Sequence, residues 1–282
     1  MSKAKDLDQY YTLPEVAKEC SKTFKKYLKC LGYNLDNVVY VEPSAGTGNF
    51  LTEFPEDRMR AYDLDPKHPK VNQQDFLELS LNKFDEEYVV IGNPPFGKKA
   101  KLGIEFFNKC GTFSSTIGFI IPIQFRKWSV QSKLNPDFNL ILDQDLEEES
   151  FIFEGKPAKV RCCFQIWSKR AVNFRLREAP PTQHPDFEMW QYNNTETALK
   201  VFEEDFDFAV PRQGHKDYSI KETDPNNCDK KTQWILFKAK NKKVLKHLLN
   251  IDFDLLSKRN TTTPGFGKAD VVDVYINTYE QL

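Results

Sequence analysis

Val89-Val90-Ile91-Gly92-Asn93-Pro94-Pro95-Phe96-Gly97 carries a short β-branched apolar run into a polar amide, two successive prolines, an aromatic ring and a glycine. The run reads as a buried strand of a parallel sheet. Pro94 and Pro95 lack an N–H, each holds its own φ at about −65°, and each pushes the residue before it toward extended geometry. The strand therefore ends in a stiff corner that presents carbonyl groups.

Such a corner would point the Asn93 side-chain carbonyl and the Pro94 main-chain carbonyl the same way, with Phe96 alongside as a flat platform. That arrangement suits an exocyclic amino group on a planar base. The plainer reading is a Pro-Pro turn closing a strand, with Asn93 as turn former and Phe96 as core. The neighbouring sequence has to decide between them.

Upstream, Val38-Val39-Tyr40-Val41-Glu42 is a second β-branched run, broken by Pro43-Ser44-Ala45-Gly46-Thr47-Gly48-Asn49-Phe50-Leu51. Gly46 and Gly48 permit tight turning and close approach of a ligand where a helix starts, which would make this the first crossing of a doubly wound sheet. The loop lacks the lysine and hydroxyl of a phosphate-binding loop, and Glu42 at the strand tip would repel a pyrophosphate, so ATP is disfavoured. Arg60-Ala61-Tyr62-Asp63-Leu64-Asp65-Pro66 follows as a short strand ending in an acid about 20 residues past the glycines, where a carboxylate accepts hydrogen bonds from ribose hydroxyls. Gln74-Asp75-Phe76-Leu77 puts an acid and an aromatic at the end of a third strand. Singly, Asp63 and Asp65 also read as turn residues before Pro66, and Asp75 as an N-cap for residues 76–81. Together, these polar residues fall at the carboxyl ends of consecutive strands, where open α/β sheets bind ligands.

Before the first strand, Tyr10-Tyr11-Thr12-Leu13-Pro14-Glu15 predicts a helix start with Thr12 as N-cap, Pro14 in the first turn and Glu15 completing a capping box. Val16, Cys20, Phe24, Tyr27, Leu28 and Leu31 then lie on one stripe, and Gly32 stops the helix. The two tyrosines sit where hydroxyls and backbone N–H groups can meet a carboxylate.

A chain of 282 residues holds one large domain or a catalytic domain with a smaller companion. No apolar run approaches the roughly 18 residues of a membrane span, and no hydrophobic segment follows the N-terminus, so a cytoplasmic or otherwise intracellular location is expected. Six cysteines without a C-x-x-C pair and four histidines without ligand spacing point to reduced thiols and no metal. Residues 1–150 carry 19 Lys and Arg against 23 Asp and Glu, net −4, while 151–282 carry 21 against 18, net +3. That asymmetry permits a nucleic-acid partner without requiring one.

Over roughly residues 8–170 this ordered set of motifs resembles the S-adenosylmethionine-dependent amino-methyltransferases that act on exocyclic nitrogens of nucleic-acid bases. In particular it resembles the DNA N6-adenine methyltransferases with an Asn-Pro-Pro-Tyr/Phe tetrapeptide, in the gamma-type order, with cofactor motifs first and the variable region last. The resemblance implies an α/β, Rossmann-like class I methyltransferase fold with a mostly parallel seven-stranded sheet. It implies methyl transfer from S-adenosyl-L-methionine to the N6 of adenine in DNA, double-stranded, as in restriction-modification. Tyr11 and Thr12 would hold the methionine carboxylate, and Glu42, Ala45, Gly46 and Gly48 would lie beneath the methionine part. Asp63 would bind the ribose hydroxyls with Leu64 against the adenine, which Asp75 and Phe76 would recognise. Asn93, Pro94, Pro95 and Phe96 would be catalytic, with Asn93 also touching the cofactor. The family usually has Thr directly before Pro; here Leu13 intervenes. A flipped-out adenine would stack on Phe96, donate its amino hydrogens to the Asn93 and Pro94 carbonyls, and take the methyl in line, without metal or covalent nucleophile.

Beyond the corner, Lys98 and Lys99 sit in a glycine-led basic loop that reads by default as solvated and, beside a base pocket, equally as a phosphate contact, while Arg126 sits in an aromatic-basic stretch suited to lie near nucleic acid. In the family a hairpin near Phe153 and Lys156 lines the base pocket. The acidic run 143–149 reads as a solvated loop. From about Arg170 the family pattern ends. Residues 171–282 read as a target-recognition region after a catalytic domain of 1–170, either packed on it or separate, with Arg212, Gln213, Lys268 and Trp190 as candidate readers. Lys240–Leu249 reads as a basic amphipathic helix. Two alternatives stay open: an RNA adenine-N6 methyltransferase, and an inactive nucleic-acid-binding subunit of the same fold. N4-cytosine chemistry is disfavoured, because that group usually has Ser at the position of Asn93.

Overall fold

The two β-branched runs that end at Glu42 and Gly92 lie side by side in the computed structural model, which describes residues 10–82, 84, 86–97, 100–171, 179–258 and 263–280. The chain divides into two units, Met1–Arg177 and Glu178–Leu282. The first contains β1 (Tyr11–Thr12), α1 (Pro14–Cys30), β2 (Val38–Glu42), β3 (Met59–Asp63), β4 (Asn72–Gln73), β5 (Glu87–Gly92), α2 (Lys101–Cys110) and β6 (Ser114–Pro122). It continues with α3 (Trp128–Gln131), β7 (Asn139–Asp145), β8 (Phe151–Phe153), β9 (Lys156–Ala158) and β10 (Cys162–Ser168).

Seven of these strands form one sheet in the order β4-β3-β2-β5-β6-β10-β7. All pairs are parallel except those of β10, which runs antiparallel to both β6 and β7. This is the Rossmann-like, mostly parallel architecture expected from the motif order. The strand order reverses direction between β2 and β5, so Glu42 and Asn93 sit at the topological switch point, where such sheets leave a crevice.

Both faces of the sheet are covered, which is why its central strands read as unbroken apolar runs. Val39, Val41 and Val90 pack with Phe106 and Phe107 of α2 on one face. Val38, Tyr40, Val89 and Ile91 pack with Ala17, Cys20, Phe24 and Leu28 of α1 on the other. Gly118 in β6 lets α1 come close, since a Cβ there would fall 2.7 Å from the Phe24 ring.

Three local expectations are corrected. Thr12 does not cap α1: it is a strand residue paired with Phe151 of β8, and the N-cap is Leu13, with no side-chain cap bond. Sheet pairing with a partner far along the chain outweighs the local capping preference. No α-helix follows the glycine loop; the crossing from β2 to β3 uses two 3₁₀ turns, Leu51–Glu53 and Glu56–Arg58, separated by Phe54 and Pro55. The acidic run is not all loop, because Asp143 and Asp145 belong to the edge strand β7.

The second unit is a three-stranded antiparallel sheet in the order β11-β13-β12, formed by β11 (Phe187–Tyr192), β12 (Phe208–Gln213) and β13 (Gln233–Ala239). α4 (Lys242–Leu249), α5 (Phe253–Ser257) and α6 (Lys268–Tyr279) cover one face through Val244, Leu248, Phe253, Val272 and Tyr275. The other face buries Trp234 and Leu236 against Trp190, Val201 and Phe202. His184 and Glu280 clasp the ends of this unit: Nε2 lies 2.9 Å from the Glu280 carboxylate, while Nδ1 accepts from the Asp186 N–H at 3.2 Å. Because Nδ1 faces a donor, Nε2 carries the proton. His184, Asp186 and Glu280 are thus joined by hydrogen bonds, with Tyr275 donating to Asp186 at 3.0 Å, although three such groups could also ring a cation.

The charge asymmetry also resolves differently from the expectation. Residues 178–282 hold 14 Lys and Arg against 17 Asp and Glu, net −3, so the positive excess of the C-terminal half lies in 151–177, which belongs to the first unit. No helix among the described residues is long and apolar enough to cross a membrane.

Candidate functional site

A cavity opens at the carboxyl ends of β2, β3, β4 and β5, the place the motif order points to. Of the residues singled out in the sequence, Tyr11, Thr12, Glu42, Ala45, Gly46, Asp63, Leu64, Phe76, Asn93 and Pro95 line it. Gly48, Asp75, Pro94 and Phe96 are not among its lining residues.

Two of the lining groups are buried acceptors left without partners: Oδ1 of Asn93 and Oε2 of Glu42. Buried polar atoms are nearly always satisfied, so two orphans facing one cavity mark a place where a ligand donor belongs. The Asn93 amide is held in place from behind. Its Nδ2 donates to the Tyr10 carbonyl at 2.8 Å, and its own main-chain carbonyl accepts from Ser44 Oγ at 2.9 Å. The amide is therefore anchored through its donor side, and its acceptor side is left without a protein partner. Glu42 is only 2% exposed. Burial, and secondarily the charge of Asp63, pushes its pKa well above the usual carboxylate value.

Asp63 holds the glycine loop. One carboxylate oxygen accepts from the Gly46 N–H at 2.7 Å and the other from the Asp65 N–H at 2.8 Å. The glycines make room for side chains here. Gly46 has φ of 47°, and a Cβ on it would fall 2.8 Å from the Tyr11 ring; Gly48 has φ of 77°, and a Cβ there would meet His68 at 2.9 Å. The expected close approach of a ligand to Gly48 is therefore corrected: His68 covers it.

Phe96 is also placed differently from the expected open platform. It is 8% exposed, and the Tyr10 ring lies nearly parallel to it, with centroids 6.5 Å apart and planes inclined at 15°. Phe153 stacks on Tyr10 in turn, at 4.7 Å and 24°. Tyr10 is the ring of this group that lines the cavity, and β1 brings it there by pairing with β8 in a small three-stranded sheet with β9. Asp75 is not among the cavity's lining residues, and its Oδ1 accepts from the Leu77 N–H at 2.9 Å, as in the turn-capping alternative. Gln74, next to it, lines the cavity instead.

The nucleic-acid candidates are scattered. Lys98 and Lys99 lie outside the described residues. Arg126 is committed to Asp143 and Asp145, each at 2.7 Å, which corrects its reading as a nucleic-acid contact. Lys156 is exposed, on the hairpin that carries Phe153. In the second unit Arg212 is half-buried, with one guanidinium nitrogen on Gln233, and Lys268 donates to the Met189 carbonyl. Burial lowers the pKa of both, so neither is a freely solvated contact. Gln213 pairs with Gln233 across the sheet, and Trp190 is half-buried.

Ser44 and Asn49 carry no signal of their own in the sequence, and Tyr10, placed there to meet a carboxylate, instead offers its main-chain carbonyl to Asn93. Asn49 Nδ2 donates to the Thr12 carbonyl at 2.6 Å and so ties β1 to the glycine loop. Asn49 directly follows Gly48, and that adjacency is the only pointer to it.

Fold and cavity together define a Rossmann-like α/β protein with a ligand site at its switch point. No family model and no curated protein matches the chain. Among solved structures it is similar to a candidate RNA methyltransferase from Pyrococcus horikoshii, with TM-score 0.44 and 18% identity over 57% of this chain and 87% of that one. It is also similar to the 23S rRNA methyltransferase ErmE, at 0.43 and 16%, covering 58% and 70%. A third likeness is to magnesium protoporphyrin IX methyltransferase from Synechocystis PCC 6803 with bound SAM, at 0.36 and 8%, covering 54% and 78%.

Proposed function

We propose that the protein is an S-adenosylmethionine-dependent methyltransferase that acts on the N6 amino group of adenine in DNA. The observation that carries this reading is the amide of Asn93, a cavity-lining residue, with its Nδ2 fixed on Tyr10 and its Oδ1 buried and unpartnered. An acceptor held in that way is preorganised for an N–H donor and needs no reorientation when one arrives.

The cavity residues fit the cofactor. Asp63 has lone pairs left for ribose hydroxyls beyond the two N–H groups it accepts, Leu64 offers an apolar wall that is 52% exposed, and Glu42 has a free oxygen for a cationic group. When bound, S-adenosylmethionine supplies a methyl group already activated on a positive sulfur. The protein's part is orientation: Asn93 Oδ1 accepts an amino hydrogen of an extruded adenine, so the nitrogen lone pair leaves the ring and attacks the methyl carbon as its bond to sulfur breaks, and the nitrogen then gives up a proton to solvent. The Tyr10 ring, backed by Phe96, supplies the aromatic surface beside it.

Asp63→Ala should weaken S-adenosylmethionine binding by about 10- to 100-fold in calorimetry, because it removes a charge-assisted acceptor and frees the Gly46 loop. Unchanged affinity would remove Asp63 from the cofactor site. The functional reading itself is tested by incubating the protein with methyl-labelled S-adenosylmethionine and duplex DNA, duplex RNA or single-stranded RNA, followed by nucleoside analysis. Label in N6-methyladenine of DNA is expected. Label in RNA alone would transfer the same chemistry to RNA, and no heat on mixing with the cofactor would mark a scaffold that has kept only the fold.

A further inference from the structure

Lys240, Lys242, Lys243 and Lys246 are all exposed, and none has an ion pair among the described residues. They occupy one short stretch at the start of α4, and no acidic residue occurs from Ala239 to Ile251. The nearest acids in sequence are engaged elsewhere: Asp205 and Asp207 with Lys238, Asp252 with the Leu255 N–H, and Asp254 with Lys258. The concentration is local, because the unit that carries it has a net charge of −3.

Its position also works against the helix. Lys242 and Lys243 stand in the first turn of α4, at the positive end of the helix dipole, where α1 has Glu15 and α6 has Asp270. Asn241 closes that end by accepting from the Val244 N–H at 3.0 Å, so the lysines are not needed for capping. Val244 and Leu248 turn into the core, which leaves the lysine side facing solvent. Lys242 and Lys246, one turn apart, are separated by about 6 Å along the axis, which is room for two phosphates of a strand at roughly 3.4 Å each.

We infer that this lysine face of α4 is a phosphate-backbone contact surface for the nucleic-acid substrate, a sequence-independent grip. The inference rests on the proposed nucleic-acid methyltransferase reading. Charge complementarity selects the occupant: four unpaired cations within seven residues match a polyanion, and the one exposed apolar side chain of the helix, Leu249 at 39%, is too small a patch to bind a protein partner. Arg212 and Lys268, the earlier candidates in this unit, are partly buried and internally bonded, so the grip lies here instead.

The test measures the full-length protein binding fluorescent duplex DNA and duplex RNA by polarisation over a range of KCl concentrations. It compares wild type with a quadruple variant carrying Lys240→Gln, Lys242→Gln, Lys243→Gln and Lys246→Gln, and with the matching Lys→Arg variant. Each phosphate contact contributes about 0.9 to the slope of log affinity against log salt on duplex DNA, so the Gln variant should lose about 2 to 4 from that slope. It should also bind at least tenfold more weakly at low salt, while the Arg variant keeps both properties and all three proteins keep the same S-adenosylmethionine affinity and melting temperature. An unchanged slope in the Gln variant, or loss of binding to phosphatidylserine vesicles with nucleic-acid binding intact, would overturn the inference alone. Lysine-dependent binding without methyl transfer would overturn the functional reading alone, and a wild type that binds no nucleic acid would overturn both.

Discussion

Asn93→Ala is expected to cut methyl transfer by about 10²- to 10³-fold while leaving S-adenosylmethionine affinity within a few-fold of wild type, the scale of losing one preorganised hydrogen-bonding group at a reacting centre. The argument turns on which atom of the amide does what. Asn93 lines the cavity, and its Oδ1 has no protein partner, whereas Nδ2 is committed to Tyr10. Removing the side chain deletes the acceptor that the amino group needs, but leaves Glu42 and Asp63 in place for the cofactor. Asn93→Asp separates the two atoms: it keeps an acceptor toward the cavity and replaces the donor toward Tyr10 by a second acceptor facing that carbonyl. Its loss should be smaller than that of the alanine variant if the acceptor dominates, and equal or larger if anchoring to Tyr10 dominates. Single-turnover transfer and calorimetry on both variants separate chemistry from cofactor binding. Near-normal turnover in Asn93→Ala would end the proposed role of the corner.

Residue pattern revealed this site unevenly, for physical reasons. Val38–Glu42 and Val89–Gly92 are legible because strands buried on both faces cannot tolerate polar interruption, so the first polar residue marks the strand end. Glu42, Asp63 and Asn93 could be found that way. The anchoring roles of Tyr10 and Asn49 could not, since Tyr10 offers and Asn49 seeks a main-chain carbonyl, and carbonyls leave no trace in side-chain pattern. Thr12 misled for a related reason: its strand partner Phe151 is far along the chain, and a local capping rule cannot see it. Asp75 had both readings available, and the structure shows its turn contact, a carboxylate oxygen accepting from the Leu77 N–H. The charge asymmetry was real but cut at the wrong place, because residues 151–177 belong to the unit of the parallel sheet.

Glu42 should make cofactor binding depend on pH. The side chain is only 2% exposed, Oε2 has no partner, and Gly92 makes room for it, since a Cβ there would fall 3.3 Å from the Glu42 Cγ. Burial first and Asp63 second raise its pKa well above the ordinary value of 4.5. In the free folded protein it therefore keeps a proton that the unfolded chain releases. Its contribution to stability is complete below the unfolded value and is lost as pH rises through the raised folded value, at up to about 1.4 kcal/mol per pH unit. A cationic ligand favours the ionised form, so binding expels the proton, and S-adenosylmethionine affinity should rise by up to about tenfold per pH unit until Glu42 ionises unaided. The measurement belongs below about pH 7, where an α-amino group with a pKa of about 8 stays charged. Calorimetry in buffers of differing ionisation enthalpy should show close to one proton released per cofactor bound. Glu42→Gln, a neutral isostere, should release none and bind with a flat pH profile, and its melting temperature should no longer decline across the same window. Equal proton release from wild type and Glu42→Gln would mean that the carboxylate is already ionised in the free protein or does not face the cofactor's charge.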